Sequence, residues 1–305
     1  MKLPFLSSVV PPHVFCLLED GVTYARVRRD SPPGFEEARH FRYPSGALHA
    51  GPAGVPLVTR EALAEAVKAA RALSGGRLAR ASVVYPDAWA KILTVELETL
   101  PADEDAGREM ILWKLKKLLP GSTAELDVVW QAMPVLSEEK RVLVAAAPRD
   151  AIASIERAFE DLGVRIGYLA PASLALFEGL AARLSSKAEG DYALLHRSRG
   201  TLAFFIARDG VPIFFRQRPP EDDEDQDREA RLSLSYYAEK LRGPGLKAVY
   251  VHDELPGGEL ARAGAFPVAV VPISAGLFEA APDFDERVAS RPELLAGFAA
   301  VYGSP

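Results

Sequence analysis

The chain has 305 residues, 49% of them hydrophobic and 26% charged. That is ordinary for a globular protein, with enough length for two domains. A formal charge of -6 argues against broad nucleic-acid binding or adhesion to an anionic membrane, since both need a basic face. The single cysteine, Cys16, excludes an internal disulfide and a cysteine-based metal site, and fits a reducing compartment. The opening MKLPFLSSVVPP is broken by Pro4, Pro11 and Pro12 and makes a poor signal peptide. No run reaches the about 18 apolar residues a membrane span needs, so a cytoplasmic location is expected.

Residues 13–18 and 22–28 are apolar or β-branched runs separated by Glu19-Asp20-Gly21, a hairpin signal, and 38–43 supplies a third strand. After a Pro/Gly/Ala-rich loop, Thr59 is placed to cap a helix whose Leu63, Val67, Ala70 and Leu73 share a face, and Gly75-Gly76 end it. Strands follow at 81–85 and 92–97. A helix then begins near the capping Asp103, carries a stripe of Ile111, Leu115 and Leu118, and stops at Pro120-Gly121. Strands at 126–132 and 141–147 flank the polar turn Ser137-Glu138-Glu139-Lys140. Residues 86–140 therefore read as an inserted strand-helix-strand subdomain. Helices at 150–162 and 171–184, with a short strand between them, complete a first lobe over 1–185. The polar segment 185–190 is the expected boundary.

The second lobe, 190–305, opens with strands at 193–195, 201–207 and 211–216, the last two joined across Arg208-Asp209-Gly210. Between the first two lies His196-Arg197-Ser198-Arg199-Gly200, read as a turn with two solvated arginines. Residues 221–227 hold six acids in seven, read as a solvated loop in preference to a metal site. A helix with Ala230, Leu234, Tyr237 and Leu241 on one face follows, then strands at 247–251 and 268–271. Short helices are expected at 258–263, 275–280 and 292–302.

Two halves that each open on a strand-turn-strand unit and continue in alternating helix and strand give an α/β chain similar to the two-lobed actin-like (ribonuclease H-like) fold. The order of elements and several local sequences resemble PilM, the actin-like protein of type IV pilus assembly, and the related cytoplasmic domain of the type II secretion L component. The similar pieces include Tyr85-Pro86, Leu119-Pro120, VLVAAAPR ending at Arg149, RDGVPIFFR ending at Arg216, and the helix carrying Tyr236 and Tyr237. The resemblance implies nucleotide turns of the type Asp-x-Gly, where glycine admits phosphates to backbone N–H groups and aspartate positions Mg²⁺. Here the first turn has Asp20 and Gly21 adjacent, which suits a tight hairpin better. In the second turn, His196 and Ser198 stand at the aspartate and glycine positions, ahead of Gly200. The adenosine-contacting Gly-Gly is replaced by His252-Asp253, with Gly257 and Gly258 further on. Histidine is a poorer Mg²⁺ ligand than carboxylate.

Three degenerate turns lead to the expectation of a pseudo-ATPase scaffold with no catalytic residue, no nucleotide cofactor and no metal. The resemblance implies a partner as well: the cytoplasmic tail of a PilN-like membrane protein, held between the first lobe and the inserted subdomain, with walls from 81–97, 150–162 and 171–184. The protein would then be peripheral at the inner membrane through that partner, without inserting into it, and self-association is compatible with this role. The alternative is an active actin-like ATPase or kinase with divergent phosphate turns, in which Asp20 serves the γ-phosphate. Neither a Gly-x-x-x-x-Gly-Lys-Ser/Thr loop nor a His-Glu-x-x-His helix occurs, and the five histidines are dispersed. Trp89, Trp113 and Trp130 all fall in the insertion. Core packing is their expected role, and any that is exposed would be an anchor for a partner.

Overall fold

The structure, a computed structural model, describes residues 9–50, 56–101, 103–118, 123, 125–136, 140–219, 223–255 and 266–303. Along the chain run β1 (His13–Leu17), β2 (Gly21–Arg28), β3 (Gly34–Arg42), the small hairpin β4 (Leu48–Ala50) and β5 (Pro56–Val58), α1 (Arg60–Leu73) and β6 (Arg80–Tyr85). The insertion follows as β7 (Lys91–Leu97), α2 (Glu104–Leu118), β8 (Leu126–Ala132) and β9 (Lys140–Pro148). Then come α3 (Arg149–Glu160), β10 (Arg165–Pro171) and α4 (Ala172–Ala188). The second half holds β11 (Tyr192–Ser198), β12 (Thr201–Arg208), β13 (Val211–Arg218), α5 (Asp223–Glu239), β14 (Ala248–Asp253), β15 (Val270–Pro272), α6 (Phe284–Ser290) and α7 (Leu294–Tyr302).

The two large sheets repeat one topology. The first has the order β10-β6-β1-β2-β3 and the second β13-β12-β11-β14-β15. In each, the opening strand pairs antiparallel with its hairpin partner on one side and parallel with a strand reached through a helical crossover on the other. The central strands read as uninterrupted apolar runs because both faces are covered, as in β1 (HVFCL, all five buried). The hairpin between β12 and β13 turns on Asp209 and Gly210, both at positive φ (51° and 74°), the conformation that makes Asp-Gly a preferred two-residue turn.

Between the sheets lies a layer formed by α4 and α7. Phe177 of α4 stacks on Phe205 of β12 at 4.6 Å between centroids. α7 packs against α4 and against β1, β2 and β6, so the end of the chain lies with the first lobe. The two helices approach closely where Gly179 faces Ala299: a Cβ on Gly179 would sit 2.0 Å from the Ala299 carbonyl oxygen. The insertion is a sheet of order β7-β9-β8 with α2 on one face, where Ile111 and Leu115 are buried. It extends to Pro148, beyond the expected limit at 140, because β9 is its central strand.

Several local expectations change. Asp103 does cap α2, its Oδ1 accepting the Ala106 N–H at 2.8 Å, but Leu118 is 57% exposed and lies outside the buried stripe. Thr59 occupies the cap position of α1 without a side-chain cap bond. The acidic run is helical from Asp223 onward, consistent with carboxylates favouring a helix N-terminus; Glu221 and Asp222 lie outside the described residues. The helix expected at 258–263 lies outside them too. Residues 275–277 form a short 3₁₀ turn, and the next helix is α6, which sequence reading missed.

Gly179→Ala is expected to destabilise the fold by about 2–3 kcal/mol, since neither helix backbone can yield without losing its packing. An unchanged denaturant midpoint would contradict the close α4–α7 contact.

Candidate functional site

The lobes meet in a cleft of about 200 Å³, lined in part by Glu19, Asp20, Ser198, Arg199, Glu254 and Glu293. The first candidate turn is a closed hairpin, as the sequence suggested: the Leu18 N–H donates to the Gly21 carbonyl at 2.9 Å, and the Tyr43 N–H to that of Asp20 at 3.0 Å. Glycine is required at 21 because a Cβ there would lie 2.3 Å from the Phe41 carbonyl oxygen. The second turn differs from expectation. β11 continues through Ser198, which pairs with Thr201, so the turn is Arg199-Gly200 alone and His196 and Ser198 are strand residues. Gly200 sits at φ +71° with open space around it. His252 and Asp253 likewise end β14, while Gly257 and Gly258 lie outside the described residues.

His196 is fully buried. Its Nε2 lies 3.0 Å from Glu254 Oε1, and its Nδ1 lies 3.3 Å from Asp87 Oδ2. The second contact is an ion pair too poorly aligned to count as a hydrogen bond, leaving that nitrogen and oxygen otherwise without partners. Carboxylates only accept protons in such contacts, so an imidazole between two of them carries a proton on both nitrogens. Burial alone would lower the His196 pKa, but Glu254 and Asp87 outweigh it and hold it well above the ordinary 6.5. Asp87, in a 3₁₀ turn after β6, is itself fixed by accepting the Ser173 N–H at 2.9 Å through Oδ1. Gln217 of β13 donates to the Asp87 carbonyl at 3.0 Å and accepts the Ile92 N–H at 2.9 Å. One imidazolium thus links the first lobe to the second, with Gln217 tying in the insertion.

The neighbouring histidine takes the opposite state. The His252 ring stacks on His196 with 5.4 Å between centroids and 4° between planes. Its Nε2 donates to the Pro292 carbonyl at 3.0 Å. Burial and the adjacent imidazolium push its pKa well below 6.5, so it stays neutral. Arg197, expected to be solvated, is buried and paired with Asp253, with Nε 2.9 Å from Oδ1. Arg199 is exposed and reaches Glu19 across the cleft at 3.3 Å, a contact of small energetic value. Glu293, which precedes α7, accepts a short hydrogen bond from Thr23, while its backbone carbonyl accepts one from Cys16 Sγ at 3.3 Å. Burial keeps the Cys16 thiol protonated and unreactive.

His196, His252 and Glu254 offer three ligand atoms within 4.8 Å of one another, a convergence the dispersed sequence positions concealed. His196 Nε2 and Glu254 already pair with one another, and His252 Nε2 is bonded to the Pro292 carbonyl. A divalent cation would have to displace that proton and stand against the imidazolium. The cleft lining mixes the carboxylates of Glu19, Asp20, Glu254 and Glu293 with the guanidiniums of Arg199 and Arg291, and its volume falls below the roughly 300–1,000 Å³ of ordinary small-molecule sites.

A larger groove of about 460 Å³ runs between the first lobe and the insertion. Its sides include two sheet edges, β8 and β10, with Ile152 and Glu156 of α3 and Leu174 and Glu178 of α4 beside them. Both helices expected as walls are present, whereas of 81–97 only Tyr85 contributes. Four carboxylates (Glu104, Asp127, Glu156 and Glu178) line it against one guanidinium, Arg108. Glu178 accepts the Tyr168 hydroxyl at 3.0 Å through Oε2 and leaves Oε1 buried without a partner; burial raises its pKa to about 7. Trp130 lines the groove, Trp89 is buried, and Trp113 is 56% exposed.

No protein-family model matches the chain, and no curated protein matches it. Among solved structures, the repeated sheets, the shared helical layer and the insertion place the chain in the two-lobed actin-like class expected from sequence. The PilM-PilN type IV pilus biogenesis complex superposes with a TM-score of 0.66 at 17% identity, over 97% of this chain and 98% of that one. The cytoplasmic domain of EpsL, an inner-membrane component of the type II secretion system of Vibrio cholerae, gives 0.49 at 10% identity, over 88% and 92% of the two chains. A Bacteroides thetaiotaomicron protein with actin-like ATPase fold and unknown function gives 0.48 at 12%, over 84% and 87%. The likeness to PilM is one of fold.

The histidine pair sets a pH signature. His196, raised in the folded state, stabilises fully below its unfolded value of 6.5, and that contribution fades as pH climbs toward its folded value. His252, lowered in the folded state, stabilises fully above 6.5 and loses that contribution as pH falls. Between about pH 7 and about pH 9 the melting temperature should decline, and His196→Gln should flatten the decline. Asp87→Asn should cost about 3 kcal/mol by leaving a buried cation short of a partner. An unaltered slope in the His196 variant would contradict the assignment.

Proposed function

We propose that the protein is a non-enzymatic scaffold of a type IV pilus or type II secretion assembly platform, holding an extended cytoplasmic segment of a PilN-like membrane protein in the groove between β8 and β10. The observation that carries the non-enzymatic half is His196. Where an actin-like ATPase needs carboxylates around Mg²⁺, this chain has its own cation, already neutralised by Asp87 and Glu254. This buried positive charge lies behind the cleft, and Asp87 and Glu254 from the two lobes both pair with it. Cycling of a nucleotide would require the imidazolium pair to open at each turnover.

The groove supports the binding half. The edge strands β8 and β10, unpaired on their outer sides among the described residues, would offer backbone N–H and C=O groups to a peptide added as a strand, and the apolar residues between them would receive alternate side chains. The excess of carboxylates favours a segment with basic residues. PilM, the neighbour of similar fold, was solved together with PilN, which motivates the choice of partner. Attachment through such a tail would place the protein at the inner membrane; among the described residues no helix is long and apolar enough to cross one.

Calorimetric titration tests both halves. A synthetic peptide with the sequence of the PilN-like tail should bind, and Ile152→Glu, which puts a carboxylate into the apolar part of the groove, should weaken it at least about tenfold without lowering the melting temperature. Mg-ATP should give no heat. Micromolar Mg-ATP binding would overturn the scaffold reading, and peptide binding indifferent to Ile152→Glu would overturn the groove.

A further inference from the structure

Arg141 stands at the other end of β9 from the groove-lining Ala147. Its side chain is 3% exposed, and Nε and Nη2 are buried without a hydrogen-bond partner. Glu96 is its cross-strand neighbour on β7, yet no ion pair joins them among the described residues. Almost every other buried charge in the fold is matched: His196 by Asp87 and Glu254, Arg197 by Asp253, Asp191 by Arg208. A guanidinium taken out of water and left unmatched is costly, and Arg cannot shed its proton to escape the cost.

Arg141 lines a cleft of about 420 Å³ between the insertion and the second lobe, with Nε and Nη2 buried beneath its surface. One rim carries Lys114, Lys117 and Leu118 of α2; the opposite wall is Phe214 and Phe215 of β13 with Tyr236 of α5. Lys117 Nζ lies 3.6 Å from the centroid of the exposed Trp113 ring, which parks a cation beside the opening. The lysines lie three residues apart on one helix, so they share a face. Among the described residues Glu96 is the only acid in the lining, against three cations.

We infer that this cleft is a second docking site, for an acidic peptide segment whose carboxylate pairs with Arg141 and whose neighbouring aliphatic or aromatic side chains pack on Phe214 and Leu118. A fork-shaped guanidinium matches a carboxylate in two parallel bonds. The spread of three cations along an apolar trough suits a chain of alternating acidic and apolar residues better than a compact anion, which would engage one charge and leave the aromatic wall bare. The site is independent of the groove between β8 and β10: it prefers the opposite charge, so the insertion would present a basic-selective face to the first lobe and an acid-selective face to the second.

Fluorescence anisotropy with a labelled octapeptide alternating Glu with Leu and Phe tests this, using the full chain and a control peptide in which Lys replaces each Glu. The acidic peptide should bind and the lysine peptide should not. Arg141→Met should weaken binding at least about tenfold while melting at a higher temperature than the parent, because the unmatched charge is gone. Should that variant fail to fold, Lys114→Gln with Lys117→Gln, both at the rim, should still weaken binding several-fold and reduce its salt dependence. Equal affinity in the parent and the Arg141→Met protein, or inorganic phosphate displacing nothing while the lysine peptide binds as well, would overturn the site. Saturation by inorganic phosphate without peptide binding would replace the peptide with a small anion. Self-association abolished by Arg141→Met, with no peptide binding, would replace it with a second copy of the chain.

Discussion

The arrangement of the molecule depends on a single buried proton. With both nitrogens of His196 protonated, Asp87 from the first lobe and Glu254 from the second each face a cationic N–H, and the turn bearing Asp87 is held against both α4 and β13. Were that imidazole neutral, two carboxylates would face one another in an enclosed space, and the lobes could stay together only by recruiting a cation or by parting. The stacked His252 has to remain uncharged for the same reason, since a second imidazolium at 5.4 Å would repel the first. Conserving the fold therefore fixes the chemistry of the cleft.

That constraint separates architecture from activity. The two sheets share one strand order, and the Asp209-Gly210 hairpin turns at positive φ. At the position where the resemblance implies an aspartate, β11 carries His196 between two carboxylates, and Glu293 and Pro292, just before α7, bond to Thr23 and His252. On the proposed reading, partners bind instead at the faces of the inserted sheet. There, two free sheet edges and two oppositely biased linings leave room for extended partners. The proposed platform role would use these two grooves to hold partners in fixed relation.

The repeated architecture was legible in sequence because its signals are local: apolar runs of strand length, Asp-Gly turns and amphipathic helices with clear stops. The site was legible only by subtraction. His196-Arg197-Ser198 carries polar residues beside a glycine and reads as a turn, but the chain keeps it extended and buried because each polar group finds a partner far away. Arg197 meets Asp253 at a separation of 56 residues, and His196 meets Glu254 at 58. No pattern of spacing announces such pairs. Asp87 was invisible for the same reason, sitting after Pro86 where an acid reads as an ordinary turn residue. Arg141 shows the limit from the other direction, because a charged residue at the start of an apolar strand reads as an exposed strand end. The polar turn before it hides that the second lobe covers it.

NMR observation of the His196 ring nitrogens and Cε1 across the neutral range would decide whether the lobes are joined through a buried cation. Resonances of a doubly protonated imidazolium, unchanged from about pH 6 to about pH 8 and unaffected by added Mg-ATP, are what the structure predicts. A neutral imidazole at pH 7, or a ring that titrates near 6.5 and shifts when Mg-ATP is added, would contradict it.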